Sequence, residues 1–150
     1  MNRCERGYAY HKEGYNCAQS VLGAFGDLIG EEKSTMAVAG GFGGGIGGSH
    51  AELCGAVSGG VMVLSLLFPH TEGSDTAGKR QIYATAKEFR RRFEAIFGLT
   101  RCGELLAARP QVSEKTPAAQ AMGLTTHCDV MIVTAVEIVE GMLKESGVAV

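Results

Sequence analysis

A chain of 150 residues, 45% hydrophobic and 20% charged, fits one globular domain with a buried core. Its net charge of −2 and isoelectric point near 6.1 offer no basic field for nucleic acid or anionic lipid. Met1 to Tyr10 hold no apolar run, and the most hydrophobic stretch, Leu53 to Phe68, is short of the ~20 residues of a membrane helix, so neither a secretory signal nor a membrane span is expected.

Helical periodicity dominates, and no run of strict alternation predicts a sheet. Glu5 to His11 reads as a short first helix ended near Gly14. Asn16 and Gln19 form a capping box that opens a second helix, with Cys17, Val21, Ala24 and Leu28 as its inner stripe and Gly30 as its stop. A weaker helix spans Glu31 to Ala39. The glycine run from Gly40 to Gly48 predicts a loop or a tight backbone crossing.

Ser49 and Glu52 read as a second capping box, opening a central helix with the stripe Cys54, Val57, Val61, Leu64 and Phe68, stopped by Pro69. Asp75 to Phe97 is the longest helix, with a seam of Ile82, Ala86, Phe89, Phe93 and Ile96 and a stop at Gly98. Arg90, Arg91 and Arg92 on it point in different directions and read as a solvated face with ion pairs. Thr100 caps a short helix that holds Cys102, Leu105 and Leu106 and ends before Pro110. Thr116-Pro117 starts another short helix, ending at Gly123. Thr126 and Asp129 cap the last helix, which runs to about Glu145 with Cys128, Ile132, Ala135, Val139 and Met142 inside and Asp129, Glu137, Glu140 and Lys144 outside. The prediction is all-α: a single compact bundle over residues 1–150, with about five substantial helices and a glycine-rich loop before the central one. The seams could serve a homodimer as well as an internal core.

Cysteine use carries the functional signal. Cys17, Cys54 and Cys128 lie on inward stripes, and Cys102 keeps similar company beside Leu105 and Leu106. Cys17, Cys102 and Cys128 fall at helix starts, where unpaired N–H groups and the helix dipole favour a thiolate. Cys54 is placed a turn into its helix. The plain alternative is that each cysteine fills core space as a small hydrophobe. Gly55, Ser58 and Gly59 give Cys54 a small face that a partner helix or a ligand could approach; its surroundings read as the most open of the four, so Cys54 reads as one member of a redox pair whose partner is undetermined. His50, four residues ahead on the same expected face, and His127, beside Cys128, could act as bases, proton donors or ligands, or could be solvated capping side chains. A metal site built from Cys17, Cys54, Cys102 and Cys128 is the second reading, holding zinc, copper or an iron–sulfur cluster; no C-x-x-C pair supports it locally. Five cysteines without a secretory signal fit a reducing, cytoplasmic setting. The glycine run could cradle an anion, but it lacks G-K-[ST] and a preceding strand.

The stretch Cys54-Gly55-Ala56-Val57-Ser58-Gly59, with Cys17 upstream and Cys102 and Cys128 downstream, resembles the C_GCAxxG_C_C family from Tyr15 to the last helix. The resemblance implies a redox-active protein and an unidentified redox partner, with many members associated with transporter genes. It specifies no reaction. An oxidoreductase results if the thiols turn over on a substrate, a binding module if they hold metal. Cys4 lies outside the four-cysteine set.

Overall fold

A computed structural model describes residues 1–108 and 116–150. Among the described residues the chain is all-helical. The helices are α1 (Arg3–Lys12), α2 (Cys17–Ala24), α3 (Gly26–Ile29), α4 (Lys33–Ala39), α5 (Gly55–Leu67), α6 (Thr76–Phe97), α7 (Cys102–Ala108), α8 (Pro117–Ala121) and α9 (His127–Glu145). Five of them, α1, α2, α5, α6 and α9, have eight residues or more, as the periodicity predicts. No helix among the described residues is long and apolar enough to cross a membrane. The predicted stop at Pro110 lies outside the described residues.

The local signals explain most of these boundaries. Asn16 accepts from the Gln19 N–H at 3.0 Å while Gln19 accepts from the Asn16 N–H at 3.1 Å, which closes the predicted capping box of α2. Asp75 caps α6 through the Gly78 N–H, and Gly98 ends it in the left-handed conformation at φ 74°. A one-residue break at Phe25 separates α2 from α3. The stripe Cys17–Val21–Ala24–Leu28 runs across this break without losing its period, so the sequence pattern could not show it.

The last helix is the axis of the molecule. From His127 to Val136 every residue of α9 except Cys128 is buried, and α1, α2, α5, α6 and α8 all pack against it. α5 lies on α2 at a separation that only glycine permits. A Cβ on Gly59 would stand 2.8 Å from the Ala18 carbonyl oxygen, and one on Gly55 would stand 3.0 Å from the Cys17 Cβ. The arginine run behaves as expected: Arg91 pairs with Glu88 at 2.8 Å, Arg92 with Glu145 at 2.6 Å, and Arg90 with Glu94 at 3.9 Å.

The central helix starts later than the sequence suggests. Ser49 donates its hydroxyl proton to the Gly45 carbonyl at 2.7 Å instead of capping a helix, and residues 49 to 53 are not helical. Leu53 pairs with Arg101 in an isolated antiparallel bridge, with the Cys102 N–H bonded to the Glu52 carbonyl at 2.9 Å and the Cys54 N–H to the Thr100 carbonyl at 2.8 Å. Glu52 therefore serves through its backbone, and the local S-x-x-E pattern loses to this long-range pairing. The glycine run also leads into no helix N-terminus, which removes the geometry that an anion cradle needs.

Candidate functional site

All four family-pattern cysteines stand at helix starts. Cys54 is the N-cap of α5, not a residue one turn inside it. Cys17 and Cys102 are the first residues of α2 and α7, and Cys128 is the second of α9. These ends converge: Cys17 is an electrostatic neighbour of Cys54 and Cys128, Cys54 of Cys102 and Cys128, and Cys102 of Cys128.

The glycine loop makes the convergence possible. Gly44, Gly45, Ile46, Gly47 and Gly48 all have φ between 59° and 69°, a left-handed run that side-chain-bearing residues resist. The loop threads between two thiols. The Gly44 backbone N–H faces the Cys17 sulfur, and a Cβ on Gly45 would come within 2.7 Å of the Cys102 Cβ.

Burial and hydrogen bonding then sort the thiols. Cys17 lies beside the Cys128 thiol, which raises the Cys17 pKa, and burial raises it further. The same neighbour lowers Cys128 to about 6, helped by the charge of His11 and opposed by burial and Asp129. Cys54 is only 3% exposed, so its surroundings are enclosed where the sequence predicts them open. Its sulfur faces the N–H groups of Ala56 and Val57, which favour a thiolate, yet burial outweighs them and pushes the thiol up to about 12. Burial and Cys128 also raise Cys102. Cys128 is thus the easily ionised member, and it is also the least buried of the four.

His50 does not share a helix face with Cys54. It is an exposed loop residue at φ 62°, fixed by its N–H to the Gly44 carbonyl and its carbonyl to the Gly103 N–H, both at 2.8 Å. That backbone sets its Nδ1 3.3 Å from the Cys102 sulfur. His127 is buried at the start of α9, beside Cys128. Cys4 lies apart from the cluster, buried against α9 with its S–H donated to the Val133 carbonyl at 3.8 Å.

Sequence reasoning missed the surroundings of Cys128. Asp129, assigned to the solvent face of α9, is 2% exposed. Its two oxygens meet His11 Nδ1 at 2.6 Å and Lys12 Nζ at 3.1 Å, so the Thr126-x-x-Asp129 pattern does not close as a capping box. An acid at a helix start and two bases at another helix end are visible in the sequence, but nothing there says that the ends meet.

Among the described residues no three His, Cys, Asp or Glu side chains come together so as to hold a metal ion. All five thiols are free. The model of a family described as "Putative redox-active protein (C_GCAxxG_C_C)" matches residues 15–142. No curated protein and no solved structure matches the chain.

Proposed function

The chain belongs to the C_GCAxxG_C_C family, and on that premise we propose that it is a thiol–disulfide redox protein whose working pair is Cys17 and Cys128. The observation that carries this reading is that those two thiols lie side by side, so that one is held protonated and the other ionises more easily. That division matches the two roles of a dithiol centre. The ionised sulfur attacks, and the protonated one resolves.

With a disulfide substrate the steps balance. The Cys128 thiolate attacks one substrate sulfur, forming a mixed disulfide and expelling the other sulfur as a thiolate. Cys17 then loses its proton and attacks the Cys128 sulfur. The Cys17–Cys128 bond forms, the mixed disulfide breaks, and a second thiolate leaves. The substrate gains two electrons and takes up two protons, and the protein is oxidised by two electrons. Cys54 and Cys102 stay reduced in this sequence. Cys102 has His50 beside it to handle a proton if it enters exchange.

Incubating reduced protein with oxidised glutathione tests the reading. Wild type should lose two hydrogens and yield a peptide linked between Cys17 and Cys128. Cys17→Ser should halt at a glutathione adduct on Cys128, and Cys128→Ser should accumulate far less adduct. Oxidation that links other cysteines, or none, overturns the assignment.

A further inference from the structure

His11 and Asp129 meet beside the thiol pair from two different helices. His11 sits in the last turn of α1 and Asp129 in the first turn of α9, directly after Cys128. The charges suit both helix ends, cations at a C-terminus and an anion at an N-terminus. Asp129 is nearly inaccessible to solvent, and both of its oxygens are engaged. A carboxylate only accepts, so the short contact requires His11 to carry its hydrogen on Nδ1 and fixes the plane of the ring. His11 also lies outside the stretch matched by the family, which begins at residue 15.

Two adjacent thiols need something to decide which of them keeps its proton. The groups around Cys128 are Cys17 from α2, Cys54 and Cys102 from the starts of α5 and α7, Asp129 from its own helix and His11 from α1. His11 can bring positive charge, as can His127, the residue before Cys128; His11 is the one whose charge favours the Cys128 thiolate. Cys17 is surrounded by other thiols and the Gly44 N–H.

We propose that His11, seated by the buried Asp129 carboxylate, is a positioning residue that makes Cys128 rather than Cys17 the attacking sulfur. This inference rests on the Cys17–Cys128 reading above. His11 acts by charge on a sulfur, with Asp129 holding it in place and Lys12 balancing the remaining carboxylate oxygen.

The test is alkylation of fully reduced protein with limiting iodoacetamide from pH 5 to 9, with labelled peptides identified by mass spectrometry. Wild type should label first at Cys128, with an inflection near pH 6. His11→Gln should move that inflection up by about one unit, slowing Cys128 labelling at pH 6 about fivefold. It should also spread early label onto Cys17. His11→Lys, which restores the charge without the ring, should recover most of the rate. Lys144→Gln removes a cation in the last turn of α9, at the far end from Cys128, and should stay within twofold of wild type. An unchanged profile in His11→Gln, or equal shifts in His11→Gln and His11→Lys, overturns the proposal. Should His11→Gln fail to fold, His11→Asn carries the same comparison. Labelling is read on reduced protein, so it tests the role of His11 even if the Cys17–Cys128 disulfide never forms.

Discussion

Two neighbouring sulfurs differ most in proton affinity when both thiols are present. Removing the Cys17 thiol with Cys17→Ala should therefore return Cys128 from about 6 toward the ordinary thiol value of 9.0. Thiolate absorbance near 240 nm, followed against pH in reduced protein, measures this directly. His11 remains in that variant, so the recovery should stop short of the full difference. His50 presents another residue-scale test, because its left-handed backbone is independent of its imidazole. Glycine adopts φ near 60° without strain, whereas alanine resists it. His50→Gly should thus be more stable than His50→Ala by about 1 kcal/mol in urea unfolding. Both variants lose the Nδ1 contact and should change Cys102 alkylation alike. At this scale the sequence shows which residues carry thiols but not the surroundings of two side chains. The local pattern predicts open surroundings for Cys54, which is enclosed, and a solvated Asp129, which is buried. In each case a group far along the chain decides the environment: Arg101 through its bridge to Leu53, and His11 through its pairing with Asp129.

Helix boundaries were legible where the signal is local and closed on itself. The Asn16–Gln19 box and the Gly98 stop are complete within a few residues, and both stand as read. The Ser49–Glu52 box has the same lettering but fails, because that backbone pairs instead with residues near Arg101. The glycines of α5 show the same dependence on context. Replacing a helical glycine by alanine favours the helix by about 1 kcal/mol when the site is open. Gly141 in α9 has no atom within 4 Å of a Cβ position, so Gly141→Ala should stabilise by up to that amount. Gly59 has the Ala18 carbonyl oxygen at 2.8 Å and the Ala18 Cα at 3.0 Å, both backbone atoms that cannot swing aside. Overpacking of ~1–3 kcal/mol there exceeds the helix gain, so Gly59→Ala should lower the urea midpoint. Opposite signs from two chemically identical substitutions would separate close packing of α5 on α2 from helix propensity.

The whole molecule is organised around α9, and its thiols make stability depend on pH in two opposite ways. Cys128 is held below its ordinary value, so its contribution is present above about pH 9 and is lost as pH falls toward 6. Cys4 and Cys54 are held above it by burial, each at about 12. Between 9.0 and 12 an unfolded chain gives up those protons while the folded chain keeps them. The unfolded state then binds fewer protons, so the stability that is whole below pH 9 declines as pH rises through this window. Each such thiol steepens the decline by about 1.4 kcal/mol per pH unit. Cys4 isolates this effect, since it packs between α1 and α9 away from the proposed redox pair. Cys4→Ala should lower stability at neutral pH by the modest amount expected of a small core deletion. It should also flatten the fall between pH 9 and 11 by about one proton's worth, until the two curves converge. Urea unfolding in reductant across a pH series reads both effects at once. Parallel curves for wild type and Cys4→Ala would mean that Cys4 ionises in the folded protein as readily as in the unfolded chain, which its burial against the Val133 carbonyl forbids.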